Sequence, residues 1–204
     1  RRKMALIYVT GGAKSGKSKF AEDLLLNMNN GNQKNIYLAT SLIYDEEMDI
    51  KVSLHKKRRQ DRWITVEGYK NFYESLEKKF VEIYSKKKEI YEKDIFINNM
   101  LVDCLTNMIS NIIFENIDIE WSNPAKDQIE KCDEVIENEV EKLIEISQKF
   151  ENVIIVSNEL GMGIVPSYPL GRYFREIAGK MNQKIAEIAD EVFFVVSGIP
   201  IKIK

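Results

Sequence analysis

Residues 11–18 read Gly11-Gly12-Ala13-Lys14-Ser15-Gly16-Lys17-Ser18 and match the pattern G-x-x-x-x-G-K-[ST]. They follow the apolar run Leu6–Thr10, which predicts a strand, and they precede a helix-like stretch. Glycines let successive N–H groups point at phosphate oxygens, and the start of a helix adds a positive dipole end. In such a loop Lys17 reaches the β- and γ-phosphates and the Ser18 hydroxyl holds Mg²⁺. The motif therefore predicts a nucleoside triphosphate site.

Apolar runs of strand length alternate with stretches of helical period along the rest of the chain. The further predicted strands are Asn35–Thr40, Trp63–Val66, a stretch within Ile95–Val102, Val153–Ser157 and Val192–Ser197. Apolar stripes predict helices marked by Phe72 to Ile83 and Phe174 to Ile188, and a longest helix over 123–149. Several strands are apolar on both faces, which is typical of a parallel sheet covered by helices.

The C-terminal tail and the domain count complete the predicted architecture. Ile199–Lys204 alternates apolar and polar residues and carries lysines and a proline, which favours an exposed, antiparallel edge strand. Neither an internal repeat nor a Gly/Ser-rich linker interrupts the chain. We therefore predict a single P-loop nucleotide-binding domain over residues 1–204, of the α/β class.

Composition excludes several classes of protein. The chain has 204 residues, with 30 Lys and Arg against 32 Asp and Glu, a net charge of −2. It therefore lacks the basic field of a non-specific nucleic-acid binder. No apolar run approaches the roughly 18 residues needed to cross a bilayer. Two cysteines and one histidine make neither a disulfide framework nor a His-rich zinc site. We expect a soluble, cytoplasmic protein.

Asp103 is the candidate for the metal side of the site. It follows the apolar residues Met100-Leu101-Val102, as a carboxylate near bound Mg²⁺ often follows a strand. Any strand ending in Asp matches this pattern, and Asp also caps helices well. The pattern leaves a metal-side role and a plain helix N-cap equally open.

The single histidine, His55, begins the densest basic run in the chain, His55-Lys56-Lys57-Arg58-Arg59. A solvated helix face is the ordinary interpretation of such a run. A nucleic-acid patch is a second, although no aromatic residue is interleaved. The third is chemical: a neutral imidazole can attack phosphorus, and neighbouring cations would offset the charge on departing pyrophosphate. The residues alone leave all three interpretations open.

Several blocks, in order, carry a resemblance to one family. They are 9–18, Tyr37-Leu38-Ala39-Thr40-Ser41, Asp45-Glu46-Glu47-Met48 with His55-Lys56, Asp103-Cys104-Leu105-Thr106-Asn107-Met108, Ser157-Asn158-Glu159-Leu160-Gly161-Met162-Gly163-Ile164-Val165-Pro166, and a last block from Arg172 to Gly198. In these blocks the sequence resembles the bifunctional adenosylcobinamide kinase / adenosylcobinamide-phosphate guanylyltransferases of cobalamin biosynthesis. The similarity spans nearly the whole chain.

The resemblance implies a fold, two reactions and an assembly. It implies a RecA-like P-loop fold and a homotrimer. It also implies a kinase that phosphorylates the aminopropanol hydroxyl of adenosylcobinamide with ATP or GTP. The second implied reaction moves GMP from GTP onto a histidine and then to adenosylcobinamide phosphate, which gives adenosylcobinamide-GDP.

The resemblance also implies roles for individual residues. By position, His55 matches the guanylylated histidine. The positions that match nucleotide-site residues outside the phosphate loop are Ala39, Thr40, Ser41, Lys56, Lys57, Arg58, Arg59, Glu67 and Asp103. The loop Asn158–Pro166 follows a predicted strand, and we hypothesise that Asn158 and Glu159 shape a corrinoid or subunit-interface pocket. A turn needed only for backbone geometry is the alternative.

The residues leave undecided the role of two arginines and the choice between the main function and two alternatives. Arg172 and Arg175 lie one helical turn apart and would either contact phosphate or pair with Glu176 or Glu187 on the surface. A P-loop kinase of another small metabolite, without guanylyl transfer, is the alternative function. A nucleotide-driven nucleic-acid module is a third, which the acidic composition disfavours.

Overall fold

The computed structural model describes residues 5–29, 33–42, 62–86, 96–115 and 119–204. In chain order the strands are β1 (Ala5–Gly11), β2 (Gln33–Ala39), β3 (Trp63–Glu67), β4 (Phe96–Asp103), β5 (Asn152–Asn158), β6 (Glu191–Val196) and β7 (Ile199–Lys202). The helices are α1 (Lys17–Asn27), α2 (Phe72–Lys86), α3 (Leu105–Glu115), α4 (Lys126–Ser147) and α5 (Pro169–Ile188).

The strands form one sheet in the order β3-β2-β4-β5-β1-β6-β7. Every neighbouring pair is parallel except β6 and β7, which are antiparallel. The prediction of a mostly parallel P-loop sheet with an antiparallel C-terminal edge strand is therefore confirmed. The carboxyl end of β1, which leads into the phosphate loop, lies beside the carboxyl end of β5.

Alternate residues of each strand pack against helices on opposite faces of the sheet. On one face Ile7 and Val9 of β1 pack in a cluster with Ala21 and Leu25 of α1. On the other face Leu6 and Tyr8 belong to a larger cluster that includes apolar residues of α2 to α5. The two-residue period of a strand explains this division, because successive side chains point to opposite sides. Helices on both faces, as predicted, leave the ends of the strands open to ligands.

The helix predictions hold with shifted ends. The longest helix is α4, and its predicted stripe is buried: Ile136, Val140 and Leu143 are each 0% exposed. α5 begins at Pro169, five residues before the first predicted marker, since proline suits the first helical position. α3 was not among the predicted helices. Its apolar residues recur at helical spacing and are buried (Leu105, Met108, Ile109, Ile112 and Ile113), and the helix begins two residues after the apolar strand β4 ends.

Among the described residues, no helix has both the length and the apolar character that a bilayer crossing requires.

Candidate nucleotide-binding site

The phosphate loop joins β1 to α1 and is held closed by backbone contacts. Ser15 N–H donates to the Gly12 carbonyl at 3.2 Å, and Gly198 N–H donates to the Ser15 carbonyl at 2.7 Å. Gly16 precedes α1 with a φ of 93°, a left-handed conformation that glycine adopts without strain. The turn between β6 and β7 therefore packs on the loop and helps to fix its shape.

Lys17 lies at the start of α1 with its side chain folded back into the loop. Its Nζ donates to the Gly12 carbonyl at 3.0 Å, and the residue is 8% exposed. Burial lowers the pKa of Lys17, and the nearby Cys104 and Asp103 groups oppose part of that shift. The structure thus places a desolvated cation where the motif predicts contact with the β- and γ-phosphates.

The Ser15 hydroxyl is the loop's unpaired polar group. Ser15 is 8% exposed, and its Oγ has no hydrogen-bond partner in the described part of the chain. A buried hydroxyl without a partner costs free energy until something bonds to it. An oxygen of a bound phosphate, cradled by the neighbouring backbone N–H groups, would meet that need.

The predicted nucleotide residues outside the loop converge at the ends of adjacent strands. In the sheet register Ala39 of β2 lies opposite both Glu67 of β3 and Asp103 of β4. Thr40 follows directly, and its N–H donates to the Asp103 carbonyl at 3.1 Å. These positions are therefore neighbours at one end of the sheet.

The phosphate loop lies at the same end of the sheet but three strands away from β2. The path crosses from β1 through β5 and β4 to β2. At about 4.8 Å between neighbouring strands, that separation is about 14 Å. A ligand that contacts both regions must be extended, as a nucleoside triphosphate is.

Helix α3 fixes the residues that follow β2. The Thr40 hydroxyl donates to the Cys104 carbonyl and accepts from the Cys104 N–H, each at 2.7 Å. Asn107 donates to Ser41 Oγ at 2.6 Å, and Asn111 donates to the Thr40 carbonyl at 2.6 Å. Asn111 was not among the predicted site residues. The available signal was the polar side of this helix, formed by Thr106, Asn107, Ser110 and Asn111.

Asp103 ends β4 and accepts a hydrogen bond through its side chain. The Tyr37 hydroxyl donates to Asp103 Oδ2 at 2.5 Å. The first residue of α3 is Leu105, so the cap position belongs to Cys104 and not to Asp103. The helix N-cap alternative for Asp103 is therefore wrong, and its carboxylate lies at the site end of the sheet.

The loop after β5 is anchored directly to the phosphate loop. Glu159 N–H donates to the Gly11 carbonyl at 3.0 Å, and Glu159 Oε1 accepts from Gly161 N–H at 2.6 Å. The Asn158 side-chain amide donates to Thr106 Oγ1 at 2.8 Å, and the Asn158 backbone carbonyl accepts from Asn182 Nδ2 at 3.1 Å. Asn158 and Glu159 thus hold this loop between β1, α3 and α5.

Within the described part of the chain, the two arginines of α5 form no ion pair with Glu176 or Glu187 and donate to backbone carbonyls instead. Arg172 Nη1 donates to the carbonyls of Pro166 and Ser167 at 3.2 and 2.7 Å, and Arg175 Nη2 donates to the Gly161 carbonyl at 2.5 Å. They brace the loop through its backbone. The braced loop presents large apolar side chains to solvent: Met162 is 80% exposed, Ile164 96%, Val165 62% and Tyr168 60%.

His55 and the four basic residues after it lie outside the described residues.

Comparisons with known proteins identify the family of the chain. A family model described as "Cobinamide kinase / cobinamide phosphate guanyltransferase" matches residues 7–203. The bifunctional adenosylcobalamin biosynthesis protein CobU of Escherichia coli strain K12 is 38% identical over 205 residues, 98% of this chain and 99% of the relative. CobU of Salmonella typhimurium strain LT2 is 37% identical over 206 residues, with the same shares covered.

A third relative is more distant. The bifunctional adenosylcobalamin biosynthesis protein CobP of Pseudomonas aeruginosa strain PAO1 is 30% identical over 199 residues, 96% of this chain and 95% of the relative. Family match and relatives alike extend over almost the whole chain, from the phosphate loop to the C-terminal strands. The chain therefore belongs to the cobinamide kinase / cobinamide phosphate guanyltransferase family.

Proposed function

We propose that this chain carries out both reactions of its family on a corrinoid substrate. The first transfers the γ-phosphoryl group of ATP or GTP to the aminopropanol hydroxyl of adenosylcobinamide. The second transfers GMP from GTP to the resulting phosphate and gives adenosylcobinamide-GDP. The observation that carries the proposal is the closed phosphate loop with buried Lys17, at the sheet end that also holds Ala39, Thr40, Glu67 and Asp103.

In the kinase step the loop's role is to hold and neutralise the triphosphate. Backbone N–H groups of residues 11–18 would bond the phosphate oxygens, and Lys17 would leave the Gly12 carbonyl for the β- and γ-oxygens. The substrate hydroxyl oxygen forms a bond to the γ-phosphorus as the bond to the β-phosphate oxygen breaks. The hydroxyl proton leaves to solvent or to a base.

The residues at the site fit Mg²⁺. Ser18, in the first turn of α1, and Asp103 offer the oxygen donors that this ion prefers. The described residues contain no cluster of three acidic, histidine or cysteine side chains. That suits Mg²⁺, which binds through one or two protein oxygens, phosphate oxygens and water. Bound Mg²⁺ would neutralise charge on the phosphates.

In the transferase step His55 would attack the α-phosphorus of GTP, so that a nitrogen–phosphorus bond forms and pyrophosphate leaves. The phosphate of the corrinoid then displaces the histidine. His55 is the single histidine of the chain and stands in the family's register. Lys56, Lys57, Arg58 and Arg59 would offset the charge that builds up on the α-phosphate and pyrophosphate.

The braced loop after β5 is the proposed contact for the acceptor. Its exposed Met162, Ile164, Val165 and Tyr168 form an apolar surface, and Glu159 ties it to the phosphate loop. A large corrinoid ring resting there would present its side chain to the phosphates. The competing role for the same surface is a contact between subunits, since the family resemblance implies a cytoplasmic homotrimer.

One substitution separates these two roles of the loop. Ile164→Asp should raise the corrinoid KM several-fold at unchanged sedimentation coefficient if the loop binds the acceptor. Val81→Asp, on an exposed position of α2, is the matched control. A changed sedimentation coefficient with an unchanged KM assigns the loop to the subunit interface instead.

The two reactions can be tested together by chromatography of corrinoid products. With ATP alone the wild type should give adenosylcobinamide phosphate, and with added GTP it should give adenosylcobinamide-GDP. His55→Ala should keep the first product and lose the second, whereas Lys17→Met should lose both. A chain that forms neither product with adenosylcobinamide would be a kinase of another metabolite.

A further inference from the structure

The hydroxyl of Tyr37 reaches from β2 to the side chain that ends β4. Its oxygen lies 2.5 Å from Asp103 Oδ2, and Tyr37 itself is 3% exposed. Within the described part of the chain this is the hydrogen bond that the Asp103 carboxylate accepts. A bond of this kind, from a neutral hydroxyl to a carboxylate, belongs to the stronger hydrogen bonds of proteins.

The tyrosine ring is itself fixed by its neighbour on the next strand. Trp63 of β3 packs edge-on against Tyr37, with ring centroids 5.6 Å apart and planes at 84°. Both rings are buried in the cluster on the α1 face of the sheet. A ring held between a second aromatic ring and the sheet has few rotamers available. The position of the hydroxyl is therefore set before any ligand binds.

The main chain beside Asp103 is held by a second, separate contact from the same strand end. The Thr40 hydroxyl bonds both the N–H and the carbonyl of Cys104, the next residue along. The end of β2 thus restrains residue 103 twice, through the backbone by Thr40 and through the carboxylate by Tyr37. The Tyr37 hydroxyl engages Oδ2 and leaves Oδ1 of the carboxylate for another partner.

We propose that Tyr37 is a positioning residue that aims the Asp103 carboxylate at the metal ion of the bound nucleotide. This inference rests on one part of the proposed function, namely that a nucleotide–metal complex binds at the phosphate loop. A residue that hydrogen-bonds to a metal-facing group orients that group. Loss of such a residue typically weakens metal binding about 10- to 100-fold. Tyr37→Phe removes the hydroxyl and keeps the ring against Trp63.

The chain offers a matched control at a distance from the site. Tyr173 of α5 donates through its hydroxyl to Asp133 Oδ1 of α4 at 2.7 Å, and its ring packs against Trp121 at 5.1 Å. Tyr173→Phe therefore removes the same kind of bond from a similar aromatic pair. Thermal unfolding of both variants reports how much stability each hydroxyl contributes.

The test measures metal binding and needs no corrinoid. Mn²⁺ affinity is measured by electron paramagnetic resonance on each protein with a non-hydrolysable GTP analogue, and analogue affinity is measured in EDTA. We expect Tyr37→Phe to weaken Mn²⁺ binding about tenfold with analogue affinity in EDTA unchanged, and Tyr173→Phe to change neither. In an Asp103→Asn background, the effect of Tyr37→Phe should disappear.

Two results would overturn the proposal. Mn²⁺ affinity within twofold of wild type in Tyr37→Phe would show that the hydroxyl does not serve the metal. An equal loss of analogue affinity in EDTA would show that Tyr37 only supports the shape of the pocket. Neither result would contradict the proposed corrinoid reactions. If those reactions were not observed, the Mn²⁺ measurement would still test the role of Tyr37.

Discussion

The ammonium nitrogen of Lys17 lies 3.0 Å from the carbonyl oxygen of Gly12, so the lysine closes the loop on itself. This contact partly satisfies a cation that burial has removed from water. A triphosphate offers much stronger partners than one carbonyl. Nucleotide binding would therefore offset the desolvation free energy that the buried Lys17 ammonium group already costs the free protein.

Replacing this lysine should weaken binding without weakening the fold. Burial lowers the folded-state pKa of Lys17, so the desolvation of its charged form opposes folding. We expect Lys17→Met without nucleotide to unfold at the wild-type temperature or slightly above it. GTP and Mg²⁺ at a hundred times Kd should raise the wild-type Tm by about 5–10 °C and leave the variant unchanged. A nucleotide-free variant that unfolds well below wild type would contradict this.

The first two glycines of the loop should differ sharply in their tolerance of a methyl group. A Cβ at Gly11 would lie 2.4 Å from the Val195 carbonyl oxygen and 2.8 Å from Ser15 Oγ, whereas one at Gly12 would meet nothing within 4 Å. Gly11→Ala should displace the loop from β6 and lower GTP affinity at least tenfold. Gly12→Ala should bind within about threefold of wild type. Equal losses in calorimetric titrations of both variants would refute this account of the loop.

The buried thiol behind the loop predicts a loss of stability at high pH. Burial, with the nearby Asp103 charge, raises the pKa of Cys104 to about 11. The pKa of this thiol is higher in the folded than in the unfolded protein. Its contribution to the free energy of unfolding is therefore complete below about pH 9 and falls as the pH rises towards 11. From pH 8.5 to 10.5, wild type should lose about 2 kcal/mol relative to Cys104→Ala. Urea unfolding of both proteins at the two pH values measures this, and a difference that does not change with pH would contradict it.

The sequence predicted the strands well because their chemistry is local. Several β-runs are apolar on both faces, and the C-terminal one alternates apolar and polar residues, so their lengths and positions can be read from consecutive residues. Leu6–Thr10 lies inside β1 (Ala5–Gly11), and the other predicted strands agree to within one or two residues. α3 was missed because it is short and begins two residues after β4 ends, with no glycine or proline to mark where the period of two gives way to a helical period.

The phosphate loop could be found from sequence because all its parts are consecutive. The contacts that organise the rest of the site are not: Tyr37 and Asp103 are 66 residues apart, and Thr40 and Asn111 are 71 apart. The contacts of Arg172 and Arg175 with the loop backbone could not be predicted for a different reason. Both donate to backbone carbonyls, and every residue type supplies such an acceptor.

The most direct test of the account is mass spectrometry of the protein after incubation with GTP and Mg²⁺ in the absence of corrinoid. We expect a mass increase of one guanylyl group, located by peptide mapping on His55, stable in alkali and lost in acid. The adduct should be absent from His55→Ala and should disappear when adenosylcobinamide phosphate is added. An unmodified protein, or a guanylyl group on another residue, would contradict the histidine-linked transfer.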